Sequence, residues 1–253
     1  MPRLPLRLIS IVVFLLLWAG LAALADSNEV PGPLAVLGFL VREAAAGELF
    51  YHLAATLARV AAAFTIAMAI GTAVGVLMGQ HRRLDRLLDP WIILLLNLPA
   101  LVVIVLCYIW IGLTEAAAVT AVAINKIPNV VVTLREGARA LDTGLLEMAR
   151  VFRFSRLSLL RHVVLPQLFP FIAAAGRSGL ALIWKIVLVV ELLGRANGVG
   201  FQIHLYFQLF DVAAILGYAL AFVCVMLCIE FIVVQPLETH ANRWRPGALP
   251  RAA

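Results

Sequence analysis

Residues 135–162 read REGARALDTGLLEMARVFRFSRLSLLRH and run directly into VVLPQLFPFIAAAGRSGLALIWKIVLVV at 163–190. The first stretch carries six arginines and three acidic residues, so it has to sit in water. The second is apolar for long enough to cross the roughly 30 Å of a bilayer's hydrocarbon as a helix. That junction decides the fold, because the rest of the chain resembles the second stretch. Hydrophobic residues make up 64% of the 253 and charged residues only 13%, with a mean hydropathy of +1.03. No soluble core requires so much apolar sequence. The apolar runs are continuous where barrel strands would alternate, which excludes a transmembrane barrel. The class is an all-α polytopic membrane protein.

Six transmembrane helices are expected, at about 8–25, 53–79, 90–111, 116–134, 164–190 and 212–234, within a single transmembrane domain over 1–253. Of the 20 Lys and Arg residues, fourteen fall in the N-terminus, 80–89, 135–163 and the tail 235–253; the alternate segments hold only Arg42 and Arg195. That asymmetry places both termini and the polar island in the cytoplasm. The first run also fits a signal peptide, with Arg3 and Arg7 ahead of it and Ala23-Leu24-Ala25 at its end. Its length favours an uncleaved helix. Cys107, Cys224 and Cys228 all lie in apolar runs, which supports neither a disulfide framework nor a metal site. The net charge of +6 is a topology signal and not one of nucleic-acid binding.

Local patterns sharpen this plan. Gly71, Gly75 and Gly79 recur every four residues, with Ala67 extending the row, and clear one helix face for close packing. After Pro31 and Pro33, the positions Leu34, Leu37 and Val41 share a face and predict a short helix on the outer surface. In the island, Asp142 or Thr143 can cap a helix whose Leu145, Met148, Ala149 and Phe152 lie on one side. Ser155 can cap a second short helix before Pro166 opens the fifth span. The residues alone leave two readings open: a docking knob for another protein, or an amphipathic element resting on lipid headgroups.

Glu147-Met148-Ala149 followed at a fixed distance by Val164-Leu165-Pro166 resembles the EAA loop of ABC importer permeases. Met148 stands where that family has alanine, and Arg153 where it bends on glycine. Ile183-Trp184-Lys185, Val189-Val190-Glu191-Leu192-Leu193 and Gly198-Val199-Gly200 are similar to the nitrate/sulfonate/taurine-type subfamily, as are Leu57-Ala58-Arg59, Asp89-Pro90 and Ile111-Gly112-Leu113. The resemblance implies type I ABC importer architecture in a bacterial inner membrane. It implies a second copy of the chain, two ATP-binding subunits in the cytoplasm and a periplasmic or lipid-anchored substrate-binding protein. The chain would bind no cofactor, metal or nucleic acid; ATP and magnesium would sit on the partner. Leu145, Glu147, Met148, Ala149, Phe152 and Arg153 would couple to the ATPase, and a small anion such as nitrate, sulfonate, taurine or bicarbonate would pass by alternating access.

Charges inside spans are costly and each prompts a question. Lys126, in Asn125-Lys126-Ile127-Pro128, either meets a passing anion or pairs with Glu230 or snorkels. Trp184, Lys185 and Asn97 are further candidates for the translocation pathway, with helix packing as the alternative. Arg59 and Glu191 lie near the outer edge, where snorkelling is expected. Gly194, Gly198 and Gly200 are not a nucleotide loop, since no Gly-Lys-Ser/Thr follows. An intramembrane enzyme would need a matched nucleophile and base, and the five histidines fall in loops or at span edges. A secondary transporter would show related halves, and no repeat is visible.

Overall fold

The computed structural model describes residues 4–25, 27, 29–236 and 239. Arg3 and the tail arginines Arg243, Arg245 and Arg251, used in the charge count, lie outside the described residues. Among the described residues the secondary structure is helical throughout. In chain order it runs α1 (Leu4–Ala25), α2 (Pro33–Ala46), α3 (Glu48–Gln80), α4 (Arg82–Asn97), α5 (Ala100–Ile111), α6 (Glu115–Arg139), α7 (Thr143–Val151), α8 (Arg156–Leu159), α9 (Leu165–Gly194), α10 (Val199–Gln208) and α11 (Val212–Ile229). π-helical turns at Leu160–Val164 and Glu230–Val234 join α8 to α9 and extend α11.

Four continuous helices have the length and composition to cross a bilayer: Glu48–Gln80, Glu115–Arg139, Arg156–Gly194 and Val212–Val234. Ile9–Ala25 is a shorter apolar helix. The run at 90–111, read from the sequence as one span, is divided between α4 and α5, which meet at 98° across Leu98-Pro99. Pro99 lacks the N–H needed to continue α4 and disfavours helical geometry at Leu98, which is extended with ψ 127°.

The chain packs as two compact units, 1–57 with 191–226, and 58–190 with 227 onward. In the first, α2 begins at Pro33 after the extended Gly32 and stops at Gly47, whose φ of +84° suits glycine. Its Leu34, Leu37 and Val41 are exposed, while Val36 and Phe39 are buried. The Phe39 ring meets Tyr206 edge-on and leans on Tyr218. The Tyr218 hydroxyl donates to Glu43 at 2.6 Å.

The same unit holds a buried polar knot. Glu191 is 0% exposed and accepts hydrogen bonds from the Thr56 hydroxyl and the Gly200 backbone N–H, each at 2.9 Å. Val199 N–H donates to Thr56 Oγ1, and Gly198 N–H to His52 Nδ1. With Nδ1 accepting, the ring proton sits on Nε2, where the Gln202 amide lies at 2.5 Å and its oxygen is the end able to accept. Gly198 has φ +110°, and a Cβ there would collide with the Glu191 carboxylate. Snorkelling is therefore not what Glu191 does. It ties the turn at 198–200 to the end of α9 and the start of α3.

In the second unit α3 and α6 pack backbone to backbone. A Cβ on Gly71 would lie 2.5 Å from Val130 Cβ, one on Gly75 2.6 Å from the Val131 carbonyl, and one on Gly79 2.6 Å from Ala138 Cβ. Val130, Val131 and Leu134 are each 0% exposed as a result. Between α3, α5, α6 and α9, Val60, Ile104, Val122, Ile183 and Val187 form another core cluster. Tyr108 crosses it to donate to the Val190 carbonyl at 2.8 Å. Arg59, also expected to snorkel, is 5% exposed and forks onto Glu115 with bonds of 2.8 and 2.7 Å. Thr114 caps α6 by accepting from Ala117 N–H, which fixes Glu115 one residue into the helix.

Gly75→Val is expected to lower the stability of the purified chain by about 1–3 kcal/mol, since overpacking forces two backbones apart. Gly20→Ala is the matched control, because a Cβ there meets nothing within 4 Å. Thermal unfolding in detergent reads both, and equal midpoints for the two variants would refute the close α3–α6 contact.

Candidate coupling loop and intramembrane polar residues

The polar island folds into two helices meeting at a tight turn. The Asp142 carboxylate caps α7, accepting from Gly144 N–H at 2.7 Å and Leu145 N–H at 3.2 Å. Asp142's own N–H donates to the Gln167 side chain at 2.8 Å, fastening the entry of α7 to the start of α9. At the other end, Phe154 N–H reaches the Ala149 carbonyl at 2.9 Å and Arg153 N–H the Arg150 carbonyl at 3.0 Å. This pair of bonds is a Schellman ending, which requires a left-handed residue at its penultimate position. Arg153 is that residue, with φ +52°. The bend is kept although glycine is absent. The same ending recurs after α10, where Phe210 has φ +56° and Asp211 N–H reaches the Tyr206 carbonyl at 3.0 Å.

Ser155 then caps α8, accepting from Ser158 N–H at 3.2 Å. α8 does not stop before α9, as two separate helices would. It flows through the π turn, where Leu165 N–H bonds the Leu160 carbonyl. A widened turn relieves the clash that the Pro166 ring would otherwise make with the carbonyl four residues earlier.

The α7 surface has two faces. Leu145, Met148 and Phe152 are exposed to 41%, 43% and 69%, one stripe at helical spacing. Glu147 is exposed on the same helix. Ala149, placed with that stripe by the sequence, is 1% exposed and faces the bundle, where Leu146 packs against the Val130–Leu134–Leu168 cluster. Sequence reasoning also missed Val151 and Phe154, both exposed, beside the exposed Leu157 of α8. Their signal was available: they extend the apolar surface across the bend.

A charge relay anchors the loop's root. Arg135 bridges Asp85 at 3.3 Å and Asp89 at 2.5 Å, and Arg139 reaches Asp85 at 2.5 Å and Glu136 at 2.9 Å. These contacts fasten the end of α6 to α4.

Among the intramembrane candidates, Lys126 stands apart. It is 2% exposed and lies across Gly179 of α9, where a Cβ would come within 2.6 Å of its Cε. Glu230, its expected partner, faces Arg177 instead at 3.5 Å. Among the described residues no hydrogen bond or ion pair engages the Lys126 ammonium. Neither bland explanation survives, since burial also rules out snorkelling. Trp184 is half-buried against the Ile104–Val187 cluster, together with Ile124, whereas its neighbour Lys185 is exposed. Asn97 is the last residue of α4 at the 98° break, and its amide donates to the Ile93 carbonyl at 2.8 Å. Gly179 is the residue of this group that the sequence did not single out.

Residues 67–235 match the family model described as the binding-protein-dependent transport system inner membrane component. A Bacillus subtilis permease protein named for aliphatic sulfonates transport is 30% identical over 193 residues, covering 76% of this chain and 70% of its own. The bicarbonate transport system permease protein of Synechococcus elongatus is 30% identical over 210 residues, covering 78% and 75%. Among solved structures, an amino acid ABC transporter crystallised with histidines superposes with a TM-score of 0.64 at 22% identity, covering 80% of this chain and 98% of that one.

Arg153→Gly is expected to stabilise the α7 ending by on the order of 0.5 kcal/mol: the left-handed cost for a residue with Cβ is about 1–2 kcal/mol, less glycine's extra chain entropy of about 0.5–1 kcal/mol. Arg153→Val should have the opposite sign. Hydrogen exchange at the Phe154 amide reads both, and faster exchange in the glycine variant would contradict the left-handed assignment.

Proposed function

We propose that this chain, which belongs to the family of binding-protein-dependent transport system inner membrane components, moves a small anion inward through a pathway formed with a second copy of itself. Six spans, with α1 and the bent α4–α5 pair each counted as one, put the polar island and both termini in the cytoplasm. Separate ATP-binding subunits supply the energy, and a substrate-binding protein delivers the cargo outside.

The observation that carries this reading is the α7 stripe of Leu145, Met148 and Phe152, exposed on a loop that charge confines to water. Here the stripe continues across the bend through Phe154 and Leu157, forming a knob that suits a protein groove. Glu147 beside it supplies a charge for orientation. Arg153 sets the angle between α7 and α8 by its backbone. Ala149 seats α7 on the bundle, so a pull on the knob reaches α6 and α9 through Leu146, Asp142 and Gln167.

The pathway contact for the anion is Lys126. An unpaired ammonium in hydrocarbon is costly to maintain, and a passing anion would relieve that cost in transit without a permanent partner. Asn97, Trp184 and Lys185 are subsidiary contacts on the same route. ATP binding draws two docked knobs together and opens the helices outward, and hydrolysis returns the pathway inward. The named cargoes of related permeases, aliphatic sulfonates and bicarbonate, are anions, which supports this substrate class.

Reconstituting the chain with its ATP-binding subunits and binding protein should give ATPase activity stimulated by one member of a panel of sulfonates, taurine, bicarbonate and nitrate. Met148→Asp should weaken subunit docking by about 2 kcal/mol and abolish the stimulation, and undiminished stimulation in that variant would sink the coupling role. Lys126→Met should reduce anion uptake about tenfold or more, the worth of one charge-assisted hydrogen bond. Normal uptake in an assembled Lys126→Met complex would remove that residue from the pathway.

A further inference from the structure

A cavity of about 940 Å³ opens where the ends of α3 and α6 meet α4, α7 and the α8–α9 junction. Its ionisable lining is His81, Arg82, Asp85, Arg86, Arg139 and Arg150, over an apolar floor that includes Met78 and Leu146. Asp85 is the one carboxylate in that lining, and Arg135 and Arg139 already hold it. Arg82 and Arg86 from α4 and Arg150 from α7 reach the cavity with no ion pair among the described residues.

We infer that this cavity binds a phosphate group, clamped between the α4 arginines and Arg150 of α7. Planar guanidinium groups match phosphate oxygens two at a time. The positive-inside rule accounts for arginines at this end of the helices. It does not account for their convergence, from two elements far apart in sequence, on one cavity whose single lining carboxylate is already paired with Arg135 and Arg139. The apolar floor beside the charged rim fits the headgroup and first methylenes of an anionic phospholipid, and basic pockets between helices at a membrane's cytoplasmic face take such headgroups. Free phosphate satisfies the same guanidinium groups without using the floor. A phosphate here would bridge α7 to α4 and hold the loop against the bundle, whatever docks on its outer face.

The test uses the purified full chain in neutral detergent with three probes: phosphatidylglycerol in mixed micelles, inorganic phosphate, and phosphatidylcholine as the uncharged control. Arg82→Gln/Arg86→Gln/Arg150→Gln is compared with Arg83→Gln/Arg156→Gln/Arg161→Gln, which removes equal charge outside the cavity. Binding is read by lipid retention in native mass spectrometry and by the rise in unfolding temperature. Each arginine near an anionic group should contribute about fivefold. The cavity variant is therefore expected to lose on the order of 100-fold in apparent affinity, with the control variant close to the parent chain. Retention of phosphatidylglycerol alone supports the site with lipid as its source; saturation by inorganic phosphate supports it with the free anion as source. Binding of neither, or equal losses in the two triple variants, overturns the proposal. A cavity variant that unfolds is replaced by Arg150→Gln alone against Arg161→Gln, judged by the same readouts.

Discussion

The backbone contact between α3 and α6 is the constraint on which the second unit depends. Lipid tails are as apolar as leucine, so burying apolar surface between membrane helices gains little, and association rests on close packing. Gly71, Gly75 and Gly79 remove every side chain from the meeting line, leaving Val130, Val131, Leu134 and Ala138 to fill it. The placement of α6 then sets the rest. Its middle carries Lys126, its C-terminal end carries Arg135 and Arg139 to the α4 carboxylates, and its last turn launches the polar island.

Among the described residues, charge withdrawn from solvent follows a consistent pattern with one exception. Glu191 has the Thr56 hydroxyl and a backbone N–H, Arg59 has both oxygens of Glu115, and Arg135 has two aspartates. Each is the arrangement expected where desolvation must be offset by several good contacts. Lys126 has only the slot made by Gly179. That contrast is what the proposed pathway role of Lys126 rests on.

Much of this architecture was legible from the residues, for physical reasons that differ by element. Membrane class followed from continuous apolar runs, and the glycine row from a spacing that has few other meanings. Asp142 and Ser155 were readable as caps because short polar side chains at helix starts have one main use. The partners of Arg59 and Glu191 were not readable. Hydropathy sees a charge near a span edge and offers snorkelling, but Glu115 and Thr56 come from other helices that only the fold brings near. Ala149 was placed on the exposed stripe because its spacing allows either face; the close approach of α7 to the bundle decided for the inner one. Arg153 shows the reverse case. Propensity argued against a left-handed arginine, and the hydrogen bonds of the turn overrode it.

The isolated charge of Lys126 has a second consequence, for what the membrane must not lose. Any pathway wide enough for a small solute threatens to short-circuit the ion gradients that power a bacterial cell. A fixed positive charge in hydrocarbon raises the energy of every other cation that approaches, since coulombic repulsion is strong where the dielectric is low. Sodium, potassium and hydronium meet that barrier whichever way the helices face. On the proposed route one lysine would act as electrical insulation as well as recognition, so that the charge that admits the cargo would also guard the gradient.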